Sequence, residues 1–159
     1  MVAMDGRSST AQEPQRVGVF PLTPADQDAA LALLLLSPGP YTEAGLRSQL
    51  RALSLCPWVQ LGASRRREEL VGVILGRVDE QNPRVGWCLR LVVHPDMRGL
   101  GVGGHLVHAQ LHAFRQLGCH SVCAAVPASE VREQSFMSHH GFVRRTSLDE
   151  GVLLMERRL

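Results

Sequence analysis

Apolar residues recur along this chain in two rhythms, a period of two that marks strands and a period near 3.6 that marks helices. Residues 1–14 (MVAMDGRSSTAQEP) follow neither; small, polar and aperiodic, they predict a disordered tail. Val17 and Val19 then open a strand over Arg16–Leu22. Thr23-Pro24-Ala25-Asp26 has the make-up of a helix start: a capping threonine, a proline in the first turn and an acid behind it. That helix extends to about Leu36 and stops at Ser37-Pro38-Gly39-Pro40, which cannot continue it. Thr42 caps a second helix, Glu43–Leu53, with Leu46, Leu50 and Leu53 at helical spacing. Trp58–Ala63 and Glu69–Val78 are the next two strands, joined by Ser64-Arg65-Arg66-Arg67-Glu68, a charged run that reads as a solvated hairpin tip.

A longer strand, Val85–Val93, passes through a short turn with Pro95 into a glycine-rich loop and a helix of about Gly101–Leu117, which Gly118 ends. At about 100° per residue, Val102, Leu106, Ala113 and Leu117 share the face expected inward, while His105, His108 and His112 lie together opposite. A strand Ser121–Val126, a helix of about Ser129–His140 ended by Gly141, and a hairpin of Phe142–Arg145 with Val152–Arg157 complete the chain. The order is β-α-α-β-β-β-α-β-α-β-β. Three consecutive strands between helices predict an α/β (α+β) domain over residues 15–159, with a mixed central sheet of about seven strands flanked by four helices.

Composition narrows the picture in a few places. The 159 residues are 45% hydrophobic and 20% charged, as in a globular protein with a proper core. A net charge of +2 gives no reason to expect nucleic acid or a membrane surface as partner. The longest apolar run, Ala29–Leu36, is too short to span a bilayer. Every basic residue is arginine, so the chain offers no lysine of its own for modification. Cys56, Cys88, Cys119 and Cys123 are scattered through core segments and read as reduced thiols of a cytoplasmic protein.

The chemistry concentrates between Leu89 and Leu117. Glycines ahead of a helix let main-chain N–H groups converge on one concavity, to which the unpaired N–H groups and positive dipole end of the first helical turn add. Such a cradle suits a pyrophosphate, and Arg98 adds a charge-assisted contact to it. Gly99-x-Gly101-x-x-Gly104 also matches the dinucleotide fingerprint G-x-G-x-x-G. That reading fails on context: five residues, His94–Arg98, separate strand from first glycine, and the next strand ends in Pro127 without an acid.

Arg98-Gly99-Leu100-Gly101-Val102-Gly103 fits [QR]-x-x-G-x-[GA], Leu91-Val92-Val93-His94-Pro95 fits L-x-V-x-P, and Phe136-x-x-x-x-Gly141-Phe142 closes the last helix. Together they resemble the GCN5-related N-acetyltransferases, and the element order agrees with that fold from about residue 16 to 157. The resemblance implies acetyl-CoA as co-substrate and an amine of a small molecule or peptide as acceptor, attacked directly within a ternary complex. It implies that Leu91, Val92 and Val93 hold pantetheine through the main chain, that a Val92 or Val93 N–H polarises the thioester carbonyl, and that Arg98, Gly99, Leu100, Gly101, Val102, Gly103 and Gly104 hold the pyrophosphate. Tyr41 and Arg90 are the residues expected to touch the acceptor; an Arg90 facing the cleft would favour a carboxylate-bearing amine over a polyamine. A homodimer is compatible with the pattern.

The sequence departs from the family where proton transfer is concerned. Leu89 and Arg90 stand where many relatives carry a glutamate, and Met137 stands where they often carry a tyrosine. His94 precedes the motif proline and is expected to point away, and the dipole at the helix end accounts for His139 and His140. Glu130, Glu133, Asp149 and Glu150 are acids that could serve through water, but each reads first as a solvated surface residue, so no catalytic residue is assigned. Two other functions stay open at this point. One is a non-catalytic acyl-CoA-binding regulator on the same fold. The other is a metal-binding module built from His105, His108, His112, Cys119, His120 and Cys123, whose spacing fits no closed zinc shell.

Overall fold

The strands and helices fall close to where the two rhythms place them in a computed structural model, which describes residues 17–37, 41–52, 58–64 and 69–159. The 1–14 tail, Arg16, Pro38–Pro40, Leu53, Cys56 and the Arg65–Glu68 part of the charged run lie outside the described residues. The elements are β1 Gly18–Pro21, α1 Gln27–Leu35, α2 Glu43–Ala52, β2 Trp58–Ser64, β3 Leu70–Val78, β4 Val85–Val93, α3 Val102–Gln116, β5 Ser121–Pro127, α4 Val131–His139, β6 Val143–Asp149 and β7 Val152–Arg158. Single 3-10 turns, Pro24–Asp26 and Pro95–Met97, precede α1 and the glycine loop. At the first of these the Thr23 N–H and hydroxyl both donate to Asp26 Oδ2, at 2.8 and 2.9 Å.

The sheet has seven strands in the order β1-β2-β3-β4-β5-β7-β6. The β4–β5 junction is parallel and the others are antiparallel, so the sheet is mixed as expected. Alternate residues of β3 serve two cores. Val73 and Leu75 pack with Leu31, Leu34, Leu46 and Leu50 of α1 and α2. Ile74 packs on the other face with Val102, Leu106, Phe114 and Met137 of α3 and α4.

Two expectations need correction. The inward face of α3 comprises Val102, Leu106, Val107, Gln110, Leu111 and Phe114, whereas Leu117 is 49% exposed. Leu117 caps the helix beyond its last full turn, where the chain turns away from the sheet, so continuing the apolar stripe to it overruns the contact. The closing hairpin also turns later and more tightly, through Glu150 and Gly151. Every residue of β6 is exposed, so this edge strand carries no inside–outside alternation for a sequence pattern to register.

The feature that positions the site is a fork. β4 and β5 pair only from Val85–Ser121 to Cys88–Ala124. Beyond that point β4 stays with β3 as far as Val93, and β5 stays with β7 as far as Pro127. At the parting β4 carries a bulge: Leu75 faces Arg90 and Gly76 faces Cys88, leaving Leu89 as the extra residue. A bulge kinks its strand and sharpens the local twist, which turns the end of β4 away from β5.

Candidate active site

Main-chain alternation decides which groups line the fork. The His94 N–H donates to Val71 O at 2.8 Å, so this pair is a hydrogen-bonded one. In an antiparallel ladder such pairs alternate along the strand. Val92 therefore turns its N–H and C=O to β3, and Leu91 and Val93 turn theirs to the open side. The Val92 side chain is buried against α1 and α2. Of the three residues expected to hold pantetheine, Leu91 and Val93 are the two with free main-chain groups.

The cradle follows directly. Gly99 and Gly101 adopt φ of 75° and 82°, the left-handed region in which a side chain is strained. A Cβ at either would meet nothing within 4 Å, so conformation rather than space requires glycine there. The His105 N–H, which donates to Gly101 O at 3.1 Å, is the first to find a helical partner. The N–H groups of Val102, Gly103 and Gly104 precede it and have no partner within the helix. Gly103 and Gly104 do a second job: a Cβ at Gly103 would lie 3.3 Å from the Phe136 ring, and one at Gly104 3.0 Å from the His140 ring. These two glycines let α4 pack against the start of α3. Past them opens a groove of about 710 Å³, lined by His108, His139, His140, Arg145, Glu156, Arg157 and others, and cationic on balance.

The two residues expected at the acceptor come together. Arg90 sits opposite Leu75, two positions from Val92, and so shares the α1–α2 face of the sheet. Its guanidinium carbon stacks 3.9 Å from the centroid of the Tyr41 ring, which stands just before α2. Arg90 Nη1 is buried without a hydrogen-bond partner.

Among the acids, Glu133 stands apart. Partial desolvation of this otherwise exposed residue, and secondarily the charge of Glu130, raises its carboxyl above the usual range. It lies one turn before Met137 on α4, and its charge reaches Cys88 at the parting of the strands. The Cys88 thiol is pushed up to about 12, mainly by burial and further by Glu133, so it is no nucleophile. Met137 is buried in the core and offers no proton. His94 Nδ1 accepts from the Asp96 N–H at 3.2 Å and so braces the 3-10 turn. Burial, and secondarily the neighbouring His139, His108 and Arg157, lower the His140 pKa. Among the described residues no three His, Cys, Asp or Glu side chains gather closely enough to hold a metal ion, and His105, His108 and His112 are exposed. The bulge and the surroundings of Glu133 are invisible to sequence reasoning because each depends on contacts between distant segments.

A bulged strand, forked from its parallel neighbour, leads here into a main-chain cradle at a helix start, an arrangement that suits an extended chain carrying a phosphate group. The sequence from residue 28 to 142 matches the model of the acetyltransferase (GNAT) family, and the chain belongs to that family. The fold is shared with solved relatives. A GCN5-related N-acetyltransferase from Kribbella flavida superposes with a TM-score of 0.79 at 19% identity, over 92% of this chain and 100% of that one. Ard1 from Thermoplasma volcanium gives 0.75 at 20% identity, over 90% and 97%. A PaiA N-acetyltransferase from Thermoplasma acidophilum, solved with coenzyme A, gives 0.73 at 17% identity, over 91% and 99%. No curated protein matches the sequence. As a family member the protein is an acyl-CoA-dependent N-acetyltransferase with acetyl-CoA as its co-substrate. No helix among the described residues is long and apolar enough to cross a membrane.

Proposed function

We propose that the fork and cradle are where this protein moves an acetyl group from acetyl-CoA to the amine of a small molecule. The observation carrying this assignment is the open main-chain edge of Leu91 and Val93 running straight into the Gly99–Gly104 cradle. Leu91 and Val93 pair with the pantetheine amides as an added strand would. Arg98 and the N–H groups of Val102, Gly103 and Gly104 hold the pyrophosphate, and the cationic groove around His108 and Arg157 takes the remaining phosphate of the nucleotide. Acetyl-CoA supplies a thioester that a neutral amine attacks without a covalent enzyme intermediate. The open N–H groups of Leu91 and Val93 are the donors available to polarise its carbonyl. An alkyl ammonium has a pKa near ~10 and must lose a proton first. Glu133 is the base we assign, since its raised carboxyl lies beside the fork and binds a proton more readily than an ordinary glutamate. Met137 offers the leaving sulfur no proton, and a thiol pKa of about 8.5 lets it depart as thiolate. The described cysteines, Cys88, Cys119 and Cys123, are all free thiols, which supports a reducing, cytoplasmic setting.

The test combines thermal stabilisation by CoA with a thiol-release screen of amino acids, polyamines, aminoglycosides and peptide N-termini. Arg98 is exposed, so Arg98→Glu should fold normally and lose about tenfold or more in CoA affinity. Unchanged CoA affinity in that variant would remove the cradle from the assignment. Unchanged turnover in Glu133→Gln would remove the base.

A further inference from the structure

Arg90 is a half-buried cation to which no described residue supplies an anion. The acids on the segments of that face are committed. Residues 17–52 hold three, Asp26, Asp28 and Glu43. Asp26 is engaged by Thr23, and Asp28 and Glu43 both reach Arg47 at 3.2 Å. Arg90 has instead the face of Tyr41, 3.9 Å away, which fixes the plane of the guanidinium without using its N–H donors. Nη1 is buried with no acceptor. A guanidinium donor left unmatched in a buried position is costly, and proteins keep such groups where a ligand completes them. The fork of donors in a guanidinium matches the two oxygens of a carboxylate.

Position indicates whose carboxylate it is. Arg90 immediately follows the bulge, on the face away from α3, while the phosphate cradle lies beyond the far end of β4. The cofactor's phosphates are therefore served elsewhere, and the anion belongs to the molecule entering from the α1–α2 side.

We infer that the acceptor is an amine bearing a carboxylate, a free amino acid or a close analogue, held through that carboxylate by Arg90 braced on Tyr41. The inference rests on the transferase assignment above and deepens it to a substrate class. It sets amino acids apart from polyamines and aminoglycosides, which would bring more positive charge to Arg90. It also sets them apart from peptide N-termini, whose backbone carboxyl is an amide.

The experiment uses the full chain and acetyl-CoA, with free L-amino acids assayed beside their carboxamides, spermidine and a short peptide. The best acid should exceed its carboxamide by about tenfold or more in kcat/KM, the worth of a charge-assisted pair. Arg90→Gln should raise KM for that acid by a similar factor and leave KM for acetyl-CoA within about twofold. Tyr41→Phe should preserve both constants, and Tyr41→Ala should raise KM for the acid. A carboxamide, polyamine or peptide used as well as the best acid overturns the inference, as does an unchanged KM for the acid in Arg90→Gln. Calorimetric titration of CoA-loaded protein with the same amino acids separates the two claims. Amino-acid binding lost in Arg90→Gln, with no turnover of any acceptor, leaves the carboxylate site standing and removes the transferase assignment. Absence of both binding and turnover with every carboxylate overturns the inference, whatever CoA itself does.

Discussion

Gln110 offers a direct test of how α3 is seated on the sheet. It sits in mid-helix between Leu106 and Phe114, 2% exposed, and its Nε2 finds no hydrogen-bond partner. Opposite lies Gly76, whose missing side chain leaves room for the amide; a Cβ there would collide with Gln110 Nε2 and come within 2.9 Å of Phe114. An unmatched buried amide costs about 1–3 kcal/mol, and methionine fills nearly the same volume with no polar atom to satisfy. Gln110→Met should therefore stabilise the fold by about 1–2 kcal/mol. At roughly 2–4 °C per kcal/mol for a chain of this size, Tm should rise by about 2–8 °C. Urea denaturation should show a higher midpoint with the same slope, since the surface exposed on unfolding does not change. Because Gln110 is two turns past the cradle, acetyl-CoA affinity should stay the same. A loss of 1 kcal/mol or more, on the order of one satisfied hydrogen bond, would refute the reasoning: it would mean that a buried water completes the amide and that the site is a polar network.

Three further outcomes follow from the packing and the titrating groups. Gly86→Ala puts a Cβ 2.7 Å from the Phe114 ring, so it should destabilise by about 1–3 kcal/mol in urea; a neutral result would mean that α3 stands farther from β4. The Glu133 carboxyl is raised in the folded protein, so folding favours its protonated form, and the stability this adds is present at acid pH and lost as pH rises through the raised value. Glu133→Gln should match the wild type below the ordinary carboxylate range and become the more stable protein at neutral pH; a variant less stable at pH 7 refutes the burial argument. With Met137 in place of an acid, log kcat/KM should not fall on the alkaline side, and an alkaline limb that persists with acceptors of different pKa would reveal a proton donor assembled from elsewhere.

The features legible along the chain are local in origin. The strand, glycine loop and helix of residues 85–117 are contiguous, so cradle chemistry follows from residue type and spacing alone, and Gly99 and Gly101 take the left-handed conformations that their order implies. The two periodicities, with the turn and cap residues, likewise predicted the seven strands and four helices in order, because burial on one face is written residue by residue. The pattern failed where burial did not follow it: at Leu117, beyond the last packed turn, and in β6, exposed along its whole length. The tertiary structure decided everything that depends on pairing between distant segments. The face of Arg90 hangs on a one-residue bulge at Leu89, since a single extra residue reverses the inside–outside parity of all that follows. The division of labour among Leu91, Val92 and Val93 hangs on the β3 register, and the meeting of Arg90 with Tyr41 on α2 packing against the far side of the sheet. Glu133 owes its raised carboxyl to partial desolvation and to the nearby Glu130, and its reach to Cys88 is a proximity that no spacing along the chain encodes.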